Sequence, residues 1–286
     1  MQEIRNILVV MTPNQPEGLA LKRAKLIAGV TQSRLHLLVC DKRGEYGQYL
    51  TDTAKELKED GYDVTTQQAW NETFHETIIK AQQAENCGLV IKQHFPENPL
   101  KRALLTPDDW KLLRYCPCPV LITKTNRPWT QGSILAAVDV GNSSGEHRRL
   151  HASLISNAFE VASIAKATLH VFSAHPSPML SASDPTFQLR ETIEARYRQQ
   201  CANFVKEFEL DEEQMHIKEG PADVLIPEMA KELDAVVTVI GTVARTGLSG
   251  ALIGNTAEVV LDAVETDVLV LKPDDVMKQL ESQLQS

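Results

Sequence analysis

The sequence predicts an α/β fold made of two tandem, doubly wound, open parallel sheets of about five strands each. Three observations carry that expectation. Short apolar runs alternate with helical patterns of roughly 10–15 residues, which is how βαβ units read in sequence. The runs are continuously apolar rather than alternating, as strands become when helices cover both faces of a sheet. The pattern then occurs twice, and repetition on this scale decides the architecture before any single motif does.

Each element follows from its residues. Asn6-Ile7-Leu8-Val9-Val10-Met11-Thr12 reads as a buried first strand, and Ser133-Ile134-Leu135-Ala136-Ala137-Val138-Asp139 repeats it 127 residues later. Helical periodicity follows at 19–30 and 154–166, then second strands at 34–41 and 168–175. In the first half a short helix near 49–59 leads to an alternating third strand at 63–71. Its counterpart in the second half is longer. Asp184 and Pro185 supply a capping carboxylate and a proline at the first helical position. Leu189, Ile193, Tyr197, Cys201, Val205 and Phe208 then recur at three- or four-residue spacing, an amphipathic helix to 208. The third strand of that half is 214–221.

Helices at 73–85 and 222–233 precede fourth strands at 88–92 and 235–241. Over this stretch the offset is a constant 149, so Asn71 matches Gly220 and Lys92 matches Gly241. A last helix and strand close each half: 107–114 with 119–124, and 256–264 with 267–272. The final strands, 120–123 and 268–271, are candidate edges that pair between the halves or between chains. Asn126, Pro128 and Gly132 mark a linker, dividing the chain into domains 1–128 and 129–286.

Composition narrows the function classes. The 286 residues are 43% hydrophobic and 23% charged, which excludes a disordered or collagen-like chain. No apolar run reaches the roughly 18 residues needed to cross a bilayer, so no membrane insertion is expected. The first residues lack a basic stretch leading into an apolar one, so the expected compartment is the cytoplasm. Net charge is −9 and uneven: 17 basic and 15 acidic residues in 1–130, against 12 and 23 in 131–286. An acidic surface repels phosphate backbones, which argues against nucleic acid. It leaves room for a small anion held locally by backbone amides.

Five scattered cysteines suit reduced thiols better than a disulfide framework. Cys116-Pro117-Cys118 is CxC with no second pair nearby, and reads as buried free thiols. His36 and His170 hold matching second-strand positions and suit packing. Trp110 and Trp129 suit a core or interface.

The segment that carries chemistry follows the fourth strand of the second half. It reads Gly241-Thr242-Val243-Ala244-Arg245-Thr246-Gly247-Leu248-Ser249-Gly250-Ala251-Leu252-Ile253-Gly254-Asn255-Thr256-Ala257-Glu258. Ligands of open α/β sheets sit beyond the carboxyl ends of the strands. Glycines let backbone N–H groups approach an anion, and Asn255 with Glu258 has N-cap and N3 spacing. The new helix start would then favour a phosphate. The same glycines also read simply as turns.

GTVARTG, GNTAE, the repeated five-strand plan and the TPDDWKLLR segment together resemble the tandem, E-type branch of the universal stress protein family, from about residue 3 to 278. Members with a nucleotide site carry Gly-x2-Gly-x9-Gly-Ser/Thr after strand four and bind ATP or a related adenine nucleotide. That pattern falls here on Gly241, Ala244, Gly254 and Asn255. Ala244 replaces a glycine and Asn255 replaces the hydroxyl residue. Arg245 would offset the first change as a phosphate clamp. Thr242 and Thr256 flank the loop. The resemblance further puts the base or ribose near Asp139, an apolar adenine wall at Val171, and an open rim at Gly220.

The first half keeps the spacing and loses the glycines. Lys92, Phe95 and Leu105 stand for Gly241, Ala244 and Gly254, Thr12 stands for Asp139, and Asn71 for Gly220. Thr106-Pro107-Asp108-Asp109 still specifies a helix start. No site of this type is expected there.

The expected function is therefore binding of ATP or a related nucleotide, with or without Mg, by the second half in a stress-response protein. No catalytic residue and no metal ligand set stand out, and a Walker lysine is missing, so at most slow hydrolysis is expected. Protein partners are open, as is a homodimer beyond the internal pseudo-dimer. Two other readings stay open: a nucleotide-independent interaction scaffold, and a binder of a hydrophobic or nucleotide-sugar-like ligand beneath the long helix.

Overall fold

The computed structural model describes residues 4–13, 18–96, 104–142, 144–178, 189–242 and 255–284. The first half contains β1 (Asn6–Met11), α1 (Leu19–Thr31), β2 (Arg34–Cys40), α2 (Gly47–Glu59), β3 (Val64–Ala69), α3 (Phe74–Ala84), β4 (Leu89–Gln93), α4 (Pro107–Tyr115) and β5 (Val120–Thr123). The second contains β6 (Ser133–Ala137), α5 (Gly145–Ala165), β7 (Thr168–His175), α6 (Arg190–Glu207), β8 (Met215–Glu219), α7 (Ala222–Glu232), β9 (Ala235–Gly241), α8 (Asn255–Ala263), β10 (Asp267–Leu271) and α9 (Asp274–Leu284).

Both halves have the doubly wound plan. The strand order is β3-β2-β1-β4-β5 in one and β8-β7-β6-β9-β10 in the other, and every pairing within a half is parallel. The two five-stranded sheets join through their last strands. β5 and β10 pair antiparallel, with Val120 opposite Val270, Leu121 opposite Leu269 and Ile122 opposite Val268. The result is one ten-stranded sheet. The terminal strands thus pair between the halves, and Leu121 and Leu269, equivalent in the repeat, face each other at its centre.

Strand residues alternate between two cores because successive side chains point to opposite faces. Ile7, Val9 and Met11 join a buried cluster with residues of α1, α2, α5 and α6. Leu8 and Val10 join the other, with residues of α3, α4, α7 and α8. Helices on both faces explain the unbroken apolar runs.

The seam carries a reciprocal exchange. Lys124, just past β5, donates from Nζ to Leu261 O (2.6 Å) and Val264 O (3.1 Å) at the end of α8. Lys272, its counterpart past β10, donates to Cys116 O (2.8 Å) at the end of α4. Each lysine therefore satisfies carbonyls at the end of the helix that precedes the other half's final strand, where the helix dipole favours a cation.

Three elements differ from expectation. α5 starts at Gly145, not 154, because Ser144 caps it: its Oγ accepts from His147 N at 3.3 Å. α9 was not expected, although Val276 and Leu280 are buried one turn apart behind an acidic first turn. α6 begins at Arg190 rather than at Pro185, because Leu189 is extended and exposed; Asp184 and Pro185 themselves lie outside the described residues. No helix among the described residues is long and apolar enough to cross a membrane.

Candidate functional site

β9 delivers Gly241 to the carboxyl edge of the sheet between β6 and β10. A Cβ on Gly241 would lie 2.8 Å from Leu150 Cδ2 of α5, so the close approach of that helix itself calls for glycine. Thr242 is buried, and both its N–H and its hydroxyl donate to Leu271 O, at 2.9 and 3.3 Å. Its side chain is committed to β10. Ala244, Arg245 and Gly254 lie outside the described residues. α8 begins at Asn255, whose side chain also lies outside them, and Thr256 is exposed in its first turn. Glu258 Oε1 accepts from Arg114 Nη2 of the first half at 2.8 Å.

At the other end of the expected site, Gly220 has φ +141°, a conformation that favours glycine, and its N–H donates to His175 O at 2.9 Å. Asp139 is exposed, and its Oδ1 accepts from Gly141 N at 3.0 Å. The N–H of Asp139 donates to His151 Nε2 at 3.3 Å. Burial pushes His151 down to about 4, against the pull of the Asp139 carboxylate, so the ring is neutral at pH 7 and free to accept. Val171 lies inside the sheet. It pairs with Ala136 and Met215 in mid-strand and is fully enclosed in the core, four residues before β7 ends. It supports the sheet and does not line its rim.

The rim is walled instead by α6. Ile193, Tyr197 and Cys201 of the stripe read from sequence are buried together with Phe204, while Leu189 is exposed. The Tyr197 ring lies 5.5 Å from that of His175, and its hydroxyl occupies the space a Gly141 side chain would need, 2.2 Å from a built Cβ. A cleft of about 230 Å³ remains between α6 and the tips of β7 and β8. His175, Glu194, Arg198, Ile217, Lys218 and Glu219 line it. None of these rim residues was singled out from sequence as site-forming. Tyr197 was visible only as a member of a helical stripe, and the charged ones carried no motif.

The equivalent place in the first half is closed by its own side chains. Lys92 Nζ, at the position of Gly241, lies 2.6 Å from Asp109 Oδ1. His94 Nδ1 lies 2.8 Å from Asp109 Oδ2, which also accepts from Thr106 N at 3.0 Å and its hydroxyl at 2.9 Å. Asp109 is the N3 residue of α4, in the capping box predicted from Thr106, Pro107 and Asp109. Burial alone would raise its carboxyl; His94 and Lys92 overcome that and hold it well below the usual carboxylate range. A carboxylate of the chain itself thus sits at a helix start where an anion would otherwise be welcome. Leu105, the counterpart of Gly254, is buried in the core.

Residues 42–124 and 132–272 match the universal stress protein family. The chain belongs to the universal stress protein family. Universal stress protein E of Salmonella typhi is 31% identical over 98% of both chains, and that of Escherichia coli K12 is 30% identical over the same shares. Among solved structures, a candidate universal stress protein from Pseudomonas aeruginosa UCBPP-PA14 is 67% identical, with a TM-score of 0.93 over 100% of this chain and 99% of its own. A universal stress protein from Archaeoglobus fulgidus DSM 4304 is 17% identical, with a TM-score of 0.60 over 94% of this chain and 99% of its own, and shares the fold. In this universal stress protein the two copies of the domain have diverged at the strand ends: one is sealed by Lys92 and Asp109, the other ends in an uncharged glycine.

Proposed function

We propose that this universal stress protein binds ATP or a related adenine nucleotide through its second half, and that binding rather than turnover is its role in a cytoplasmic stress response. The phosphates would lie over residues 241–255, and the base end would face Asp139, Gly220 and the cleft under α6. The supporting observation is the contrast between Gly241 and Lys92. Where the first half fills its strand end with Lys92 paired to Asp109, the second has Gly241, and Glu258, at the position of Asp109, pairs with Arg114 instead. At the base end the fit is narrower. Val171 is sealed and Tyr197 abuts Gly141, so the ligand's uncharged end must use the cleft beside Arg198 and Lys218. Ordering the loop would change the surface offered to partners.

Titration calorimetry and thermal unfolding with ATP, with and without Mg, test this. Saturating nucleotide at 100 times its Kd should add about 2.7 kcal/mol of stability. Gly254→Val should remove that gain. Absence of binding heat together with an unchanged midpoint would reject the reading.

A scaffold role is favoured by one observation: Gly241 already has a packing reason, against Leu150, that needs no ligand. If Val268→Lys at the seam abolishes function in cells and Gly254→Val does not, the scaffold is the better reading. The charged lining of the cleft favours a polar, nucleotide-sugar-like guest over a hydrophobic one. Mass spectrometry of ligand extracted from native protein separates these.

A further inference from the structure

The turn between α4 and β5 brings two thiols into contact. Cys116, which ends α4, and Cys118 have their sulfurs 3.6 Å apart. Neither is in a disulfide. Cys116 is fully buried and Cys118 is 6% exposed, in a connecting turn rather than a strand or helix. The buried ammonium of Lys272 is anchored by its bond to Cys116 O, beside the pair. A cation held next to two touching sulfurs is the setting in which one sulfur gives up its proton while the other donates to it.

We propose that Cys116 and Cys118 are a redox site that a small hydroperoxide converts to a reversible intramolecular disulfide. Cys116 attacks as thiolate: its sulfur bonds to one peroxide oxygen, the O–O bond breaks, and the leaving hydroxide takes up the proton that Cys116 gave up, forming the first water. The resulting sulfenic acid is attacked by the Cys118 sulfur. The S–S bond forms, the S–O bond breaks, and the hydroxyl leaves as water with the Cys118 proton. Two electrons pass from the sulfurs to the peroxide, so two thiols and one hydrogen peroxide give one disulfide and two waters. A thiol donor reverses it by exchange.

The division of labour within the pair follows from its contacts. The hydrogen bond from Cys118 lowers the Cys116 thiol against the cost of burial, and Lys272 lowers it further. The same hydrogen bond, with burial, pushes Cys118 up. The other thiols lack such a setting. Burial pushes Cys40 and Cys87 up to about 12 and Cys201 up to about 11, which makes them poor nucleophiles. Burial of the pair means that reaction waits on local opening of the turn, so it is slower than in a dedicated peroxidase.

The test uses the full chain, reduced and then exposed to stoichiometric hydrogen peroxide, quenched in acid, and labelled with a maleimide in denaturant. The tryptic peptide 115–124 should be unlabelled and lighter by two hydrogens, while Cys40, Cys87 and Cys201 carry label. Dithiothreitol should restore both labels. Full labelling of Cys116 and Cys118 while another cysteine is oxidised would overturn the proposal, as would a link from Cys116 to Cys87. Cys118→Ser should form no disulfide and should leave a Cys116 sulfenic acid that dimedone traps; an unreacted Cys116 in that variant would overturn its role as attacking thiol. Lys272→Met should slow oxidation about five- to tenfold at pH 7 and move the rate profile to higher pH, with Lys272→Arg restoring both. An unchanged profile in Lys272→Met would remove the lysine from the proposal.

Discussion

Arg23 Nε lies 2.7 Å from Asp267 Oδ2, with both side chains buried, and this pair ties the first helix of one half to the last strand of the other. The carboxylate has four donors. Trp129 Nε1 shares Oδ2 at 2.8 Å, and the N–H groups of Lys124 and Thr125 reach Oδ1 at 2.7 and 3.0 Å. Arg23 also donates to the carbonyls of Thr125 and Arg127, and its guanidinium lies 4.8 Å from the centre of the Trp129 ring. One carboxylate thus orders the linker and locks the halves together.

Asp267→Asn should therefore cost more than a surface change. It leaves Arg23 buried beside a neutral group, and breaking a buried pair from one side costs about 3–5 kcal/mol. Denaturant unfolding followed by tryptophan fluorescence and by ellipticity measures it. The expected result is a lower midpoint, with the fluorescence change leading because Trp129 loses its partner. A cost under about 1 kcal/mol would show that the seam strands alone hold the halves.

The sealed strand end of the first half allows a sharper comparison. Asp109→Asn strips Lys92 and His94 of their shared anion while leaving both buried, and should destabilise by about 3 kcal/mol or more. Lys92→Met with Asp109→Leu removes both charges, and buried ion pairs replaced by apolar side chains are often neutral or better. The double variant should therefore be more stable than Asp109→Asn in urea titration. Equal stabilities would mean that the capping bonds from Thr106, which an asparagine oxygen can still accept and leucine cannot, offset the gain from removing both charges.

Most of the fold was legible because it rests on local signals. Apolar runs, caps such as Thr106 with Asp109, and the repeat itself are written within a few residues of where they act. The first turns of α5 escaped because residues 145–149 carry no apolar side chain, so periodicity had little to register; α9 does carry a periodic pair, Val276 and Leu280, but lies beyond the five-strand repeat. The site was less legible. Gly241 and Gly220 stand out as strand-end glycines, whereas an apolar strand residue such as Val171 reads alike at the rim and in mid-strand. The Tyr197 contact with Gly141 and the Arg23 pair with Asp267 join residues far apart in sequence, and nothing local announces them.

His151 makes stability depend on pH in a defined window. Its folded-state value is pushed down to about 4 by burial, whereas an unfolded histidine titrates near 6.5. Between these values the unfolded chain binds a proton that the folded chain refuses. The folded state therefore loses stability as pH falls from about 6.5 to about 4, and loses no more from this group below that. The loss should be on the order of 2–3 kcal/mol. His75, His170 and His216 are lowered too, so the informative quantity is the difference from His151→Gln, whose amide oxygen can still accept from Asp139 N. That difference should shrink across the window as pH falls; a constant difference would assign the pH dependence to the other three.

The contact between Tyr197 and Gly141 decides how α6 sits over the rim. A side chain at 141 would meet the tyrosine hydroxyl at 2.2 Å and the ring carbon that bears it at 2.7 Å. The ring cannot simply rotate away, because its neighbours Ile193, Cys201 and Phe204 are buried on the same stripe. Gly141→Ala should therefore lift α6 and cost about 1–3 kcal/mol, the usual range for overpacking. Removing the hydroxyl relieves only the shorter contact, so Gly141→Ala with Tyr197→Phe should recover part of that loss and Tyr197→Phe alone should lose little. The same series reads out function. If α6 bounds the nucleotide site, Gly141→Ala changes ATP affinity and the added Tyr197→Phe moves it back. Affinity that follows neither stability nor the second substitution would place the base away from this helix.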